Sequence, residues 1–144
     1  MIEIFDDIWN YHEQGNIIVI TTNGTIKDNG SAVMGRGMAL DANKKYPGIK
    51  HRLGKNLKTC GNHVFGYWDL KLITFPVKYN WWEKADLLLI ERSTIELVQL
   101  VKNIKTQNIY MTRPGCANGK LDWKDVKPIL EKYLDNKFII VEKR

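Results

Sequence analysis

Two glycine-rich segments hold the residues best suited to chemistry. The first is Gly35-Arg36-Gly37, followed by M-A-L-D-A-N-K-K-Y. Glycines reach backbone conformations that β-carbons forbid and leave N–H groups uncovered. Consecutive amides at a helix start form an anion nest, which fits a diphosphate, and Arg36 adds positive charge. A plain structural turn explains the same residues. Leu40 stands where a G-x-G-x-x-G fingerprint needs its last glycine, and no G-x-x-x-x-G-K-[ST] run occurs, which argues against triphosphate hydrolysis through a P-loop. The second segment, Arg113 to Leu121, reads R-P-G-C-A-N-G-K-L, with Pro114 to Gly119 as its loop. Two such loops at the carboxyl ends of strands would clamp one anionic ligand from opposite sides.

Single residues around these loops have two readings each. Asn23 can hold a ribose hydroxyl or orient a water, because an amide both donates and accepts; Asn23-Gly24 is also an ordinary turn. Asp7 can accept from an exocyclic amine or cap a turn. Asp122 reads as a helix cap, with Asp125 in the reciprocal position, and Asn118 is freer to face a ligand. Cys116 lies where loop amides would lower a thiol pKa, but no histidine shares its motif, so it reads as a small packing thiol. His12, His51 and His63 have no metal-ligand spacing, and no metal or cofactor is expected. Trp81-Trp82 suits base stacking or covers a core edge.

The elements that must position these residues follow from pattern. Met1 to Phe5 and Asn16 to Thr22 read as strands, the second buried. A helix is expected from Gly37 to Tyr46, stopped by Pro47-Gly48. His51 to Asn62 reads as a short helix or surface loop. Val64 to Trp68 and Leu70 to Phe75 read as strands, with Pro76 to Lys84 a loop. Ser93-Thr94-Ile95-Glu96 matches a capping box ahead of an apolar face of Leu97, Leu100, Val101 and Ile104. Asn108 to Met111 is a strand, Val126, Ile129, Leu130 and Leu134 give the last helix its core face, and Lys137 to Val141 is the final strand. The alternation predicts an α/β fold, a three-layer α/β/α sandwich with a mixed central sheet.

The 144 residues fit one domain, 1–144, without repeat or linker. Folding should leave roughly 7,600 Å² exposed. No run approaches the roughly 18 apolar residues of a membrane span, and the start lacks a signal-peptide pattern. Two cysteines make neither a disulfide framework nor a thiolate zinc site, so a reduced, cytoplasmic protein is expected, without a membrane partner and as a monomer. The net charge of +6 attracts anions, but the lysines are scattered, short of the dense track of a nucleic-acid binder.

Taken together, Asp7-Ile8 after the first strand, Asn23 after the next, G-R-G-M-A at Gly35 to Ala39 and R-P-G-C-A-N-G-K-L-D-W at Arg113 to Trp123 resemble a macro domain, the module that recognises ADP-ribose. Within that family the chain looks most like the small phosphatases of ADP-ribose 1''-phosphate, including phage-type and stand-alone proteins. The resemblance implies that Asp7 holds the adenine amine and Ile8 makes a neighbouring backbone contact. Gly35, Arg36, Gly37, Met38 and Ala39 bind the diphosphate and distal ribose from one side, and Pro114, Gly115, Cys116, Ala117, Asn118 and Gly119 from the other. Asn23 meets the distal ribose near the reacting carbon.

A related branch removes ADP-ribose from glutamate or DNA bases with a lysine and an aspartate. The resemblance places that pair at Asn43, beside Lys44, and at Gly119, so this sequence departs from it. The expected reaction is therefore hydrolysis of the phosphomonoester of ADP-ribose 1''-phosphate to ADP-ribose and phosphate, with a water held by Asn23 or Asn118 and catalysis by positioning and electrostatics. The alternatives are an ADP-ribosyl glycohydrolase acting on protein or nucleic acid and a non-catalytic reader. Nucleic acid enters only as an ADP-ribosylated substrate.

Overall fold

The computed structural model describes residues 1–143. Six strands form one sheet: β1 (Ile2–Phe5), β2 (Ile17–Asn23), β3 (Phe65–Tyr67), β4 (Leu72–Lys78), β5 (Ile109–Met111) and β6 (Phe138–Glu142). Their order is β1-β6-β5-β2-β4-β3, parallel except for β3. The β-branched strands alternate between two apolar faces. Ile18, Ile20, Ile139 and Val141 pack beneath α1 (Ile8–Glu13), α2 (Gly37–Lys45) and α3 (Ile49–Cys60). Val19, Phe75, Met111 and Ile140 pack beneath α4 (Leu87–Leu100) and α5 (Trp123–Tyr133). This is the expected three-layer sandwich with a mixed sheet, and its exposed surface is 7747 Å². Among the described residues no helix is long and apolar enough to cross a membrane.

Five local expectations need correction. Helix α1 is one the pattern does not predict, and Asp7 takes the capping alternative read for it, its carboxylate accepting from the Trp9 N–H at 3.0 Å. The stretch at His51 to Asn62 lies mostly in a full helix, α3, whose Gly54 lets the loop at Gly30 pass so closely that a Cβ there would sit 2.0 Å from the Gly30 carbonyl. Strand β4 continues through Pro76 to Lys78. Its pairing with β3 ends at Thr74, so Pro76 lies past the point where a neighbour needs its missing amide, and its carbonyl accepts from the buried Ser93 hydroxyl at 2.7 Å. Ser93 is therefore no cap. Helix α4 starts seven residues earlier in the chain, with Asp86 accepting from the Leu89 N–H at 2.9 Å, while Glu96 accepts from Val64 N–H and bonds His63. Asp122 does stand at the cap of α5, but without a side-chain cap hydrogen bond; its carboxylate lies 3.8 Å from Lys124.

Candidate functional site

All five parallel strands point their carboxyl ends the same way, and a cleft of about 1150 Å³ runs across those ends. In sheet order its floor takes Asp6 and Asp7 after β1, Val141 to Lys143 at β6, Thr112 and Arg113 after β5, Thr21 to Asn23 on β2, and Val77 and Lys78 on β4. Four strand spacings make it roughly 19 Å long. The two glycine loops form its walls. Gly35 to Ala39 lines one side and Gly115 to Gly119 the other, and a Cβ on Gly37 would stand 3.0 Å from the Asn118 Nδ2. The loops therefore converge. Of the residues expected at the site, Asp7, Ile8, Asn23, Gly35 to Ala39 and Gly115 to Gly119 all line the cleft; Pro114 is buried behind the second loop.

The first loop leaves the start of α2 without a side-chain cap. Arg36 stands at the cap of α2 without a side-chain cap hydrogen bond, and Gly37 has φ +55°, so the first-turn N–H groups have no capping side chain. Asn23 is engaged at both ends: its Nδ2 donates to the Val33 carbonyl at 3.1 Å, and its Oδ1 accepts from the Thr25 N–H at 2.9 Å. It thereby holds the loop between β2 and α2 against the cleft. Cys116 is the packing thiol the sequence suggests, and the pKa lowering that loop amides could give does not occur. Burial pushes its thiol up to about 11 despite the Arg113 charge, so it is a neutral packing group.

The residue that motif reading misses is Lys78. It ends β4, pairs in register with Asn23 at the end of β2, and is half-buried in the cleft. Its Nζ donates to the Asn118 carbonyl at 3.3 Å and to the Trp81 carbonyl at 3.4 Å. Burial lowers its pKa, and the charges of Arg36 and Lys120 lower it further. Reading Pro76 as a strand terminator hides it in a loop. Its signal is positional, the first polar residue after the buried run Leu72 to Val77. Asn43 and Lys44 do not line the cleft; Lys44 faces a separate surface hollow with Asp7, Trp9 and Asp41. Gly119 has no room for a side chain, since a Cβ would lie 2.5 Å from the Gly115 carbonyl.

The cleft is electrically uneven. Asp6, Asp7 and Glu142 lie at the β1–β6 end, where Arg113 pairs with Glu142 at 2.8 Å. Lys27, Arg36 and Lys78 belong to the loops and strand at the β2–β4 end. Trp81 lines that same end, its N–H donating to the Thr25 hydroxyl at 3.0 Å. Among the described residues no group of three or more His, Cys, Asp or Glu is arranged to hold a metal.

No protein-family model matches the sequence. Over 104 residues, 66% of this chain, it is 30% identical to the DNA ADP-ribosyl glycohydrolase of Mycobacterium tuberculosis. The aligned part is 30% of that relative, so the chain spans less than a third of its length. Among solved structures, the macrodomain of Mycobacterium tuberculosis DarG superposes with a TM-score of 0.69 at 26% identity, over 88% of each chain. The macrodomain of Thermus aquaticus DarG gives 0.78 at 20% identity, over 99% of this chain and 97% of that one. Thermosipho africanus DarTG in complex with ADP-ribose gives 0.71 at 19% identity, over 88% and 38%.

The fold is thus the macrodomain fold, as the loop motifs imply. The expected branch is not. The similar proteins are of the DarG type and the relative is a DNA ADP-ribosyl glycohydrolase, which overturns the resemblance to phage-type phosphatases and the reaction on ADP-ribose 1''-phosphate. The physical reason lies in where the motifs sit. The two glycine loops form opposite walls of the cleft, an arrangement every ADP-ribose reading shares, and so they do not separate one reaction from another.

Proposed function

We propose that this protein is a glycohydrolase that removes ADP-ribose from a base of DNA. Adenine lies at the β1–β6 end against Asp7 and Ile8, with the Asp7 oxygen left by the Trp9 N–H accepting from the exocyclic amine. The diphosphate lies between Gly35 to Ala39 and Gly115 to Gly119, on the amides of the α2 start. The distal ribose then reaches the end of β4, with Asn118 beside it and Asn23 holding the wall.

The observation that carries the reading is the Lys78 amine at that end of the cleft. A lysine desolvated and set beside other cations has more of its neutral, nucleophilic form at a given pH. In the proposed reaction Lys78 Nζ attacks the anomeric carbon of the distal ribose, the bond to the DNA base breaks, and the base leaves with a proton. Water then hydrolyses the ribosyl–lysine bond, releasing ADP-ribose and restoring the amine. The glycohydrolase named among the relatives supports the same reaction class.

The test is release of ADP-ribose from an oligodeoxynucleotide carrying one ADP-ribosylated base, followed by chromatography. Wild type should turn the substrate over. Lys78→Ala should lose about 10³-fold or more in kcat, the scale of removing a group that acts on the reacting atoms, while still binding ADP-ribose. No release by wild type, or full activity of Lys78→Ala, would refute the reading.

A further inference from the structure

Resting on the glycohydrolase reading, we infer that Trp81 and Trp82 form a nucleobase-stacking subsite at the mouth of the cleft, which grips the DNA strand beside the ADP-ribosylated base. The two indoles are 48% and 64% exposed, and Tyr79 adds a third ring at 47%. Large aromatic surfaces left in water at the rim of a cleft mark a contact site. The indoles cross edge to face, with centroids 5.8 Å apart and planes at 89°, so neither covers the other's whole ring.

Their position is tied to the reacting group. The Trp81 N–H is held by the Thr25 hydroxyl and the Trp81 carbonyl by Lys78 Nζ, so the turn that presents the indoles is fixed on the same amine that faces the distal ribose. The turn is closed by the Glu83 carboxylate, which accepts from the Asn80 N–H at 2.7 Å, while the Glu83 N–H donates to the Asn80 carbonyl.

Charge at this end suits a polyanion. Arg36 and Lys27 line this end of the cleft, and the charges of Arg36 and Lys120 reach Lys78. Aromatic faces interleaved with cations grip bases and backbone together. Trp81, inside the cleft, meets the modified base; Trp82, outside it, meets a neighbour on the strand.

The experiment compares wild type, Trp82→Ala and Trp82→Phe on three substrates: an ADP-ribosylated oligodeoxynucleotide, the matching ADP-ribosylated mononucleoside, and an ADP-ribosylated peptide. Trp82→Ala should raise KM for the oligonucleotide by roughly 5- to 150-fold, the range for losing one stacked base. It should leave kcat, ADP-ribose affinity and mononucleoside cleavage unchanged, and Trp82→Phe should recover most of the loss. An equal loss on the mononucleoside or the peptide, or no loss on the oligonucleotide, overturns the subsite. Indole fluorescence is read in parallel with an unmodified oligodeoxynucleotide and needs no turnover. Quenching should be weaker in Trp82→Phe than in wild type, and identical quenching in the two overturns the subsite. Quenching that depends on Trp82 in a protein that releases no ADP-ribose would instead refute the glycohydrolase reading alone.

Discussion

Around Gly35 the loop after β2 is open, and a Cβ there would meet nothing within 4 Å. Around Gly119, on the facing loop, a Cβ would meet the Gly115 carbonyl at 2.5 Å and Ala85 at 2.8 Å, and one on Gly115 would meet Ile90 at 2.9 Å. The two loops look alike as sequence but are glycine-rich for different reasons. The first keeps its backbone bare toward the cleft. The second is pressed against the start of α4, with the Ala85 N–H donating to the Gly119 carbonyl at 3.0 Å. One loop can therefore be altered in binding with little loss of fold, and the other cannot.

Gly37→Val breaks this comparison most directly. Gly37 has φ +55°, which a β-branched residue resists, and its Cβ would crowd the Asn118 amide at 3.0 Å. Calorimetry should show ADP-ribose affinity lowered at least about 100-fold, the scale of losing two charge-assisted hydrogen bonds, with the circular dichroism of the folded protein retained. Unchanged affinity would mean that the first loop is not the diphosphate wall.

Gly119→Ala comes next, and its effect should appear in stability. The clash is with backbone, which cannot swing aside, so a loss of roughly 1–3 kcal/mol is expected, or a Tm lower by roughly 3–10 °C. Gly35→Ala, at an open site without positive φ, should stay within about 0.5 kcal/mol. Equal Tm values for the two variants would erase the distinction between the loops.

That distinction is not legible in the sequence, and the reason is physical. Composition and β-branched runs report burial, so the sheet, the two glycine loops and the α2 helix are readable from Ile17 to Ile20 or from Pro47-Gly48. What a glycine is pressed against depends on chain distant in sequence, as Gly54 against Gly30 and Gly119 against Ala85 show. The same holds for the misread elements. Ser93 and Glu96 match a capping box, yet each is taken by a partner from the β3–β4 region, at Pro76 and at Val64 and His63. Pro76 breaks strands by rule, and only the end of β3 at Thr74 explains why it is tolerated. Because Pro76 reads as a stop, Lys78 disappears from view, and with it the residue on which the proposed reaction rests.

Each loop also lends a cation to Lys78, Arg36 from the first and Lys120 from the end of the second. If the neutral amine is the nucleophile, kcat/KM rises with pH until Lys78 is deprotonated, with a midpoint below the usual lysine value of about 10.4. Lys120→Gln removes a positive neighbour and so stabilises the ammonium. Its profile should shift to higher pH, and the more so at low ionic strength, where the removed charge is less screened. A shift to lower pH, or a rate that falls as Lys78 loses its proton, would assign the amine a different role.

The smallest effect is expected at Cys116, where the packed character of the second loop decides the outcome. Loop amides around a thiol can stabilise a thiolate, and by that logic Cys116 would be reactive. Here burial outweighs the Arg113 charge, the pKa stands at about 11, and the Sγ lies 3.6 Å from the Pro114 carbonyl, an acceptor that favours the protonated thiol. At pH 8 the thiolate share is then about one part in a thousand. Iodoacetamide at that pH should label the exposed Cys60 well before Cys116, and Cys116→Ser should keep ADP-ribose release close to wild type. Rapid labelling at Cys116, read by peptide mass spectrometry, would show that this loop opens to solvent as freely as the first.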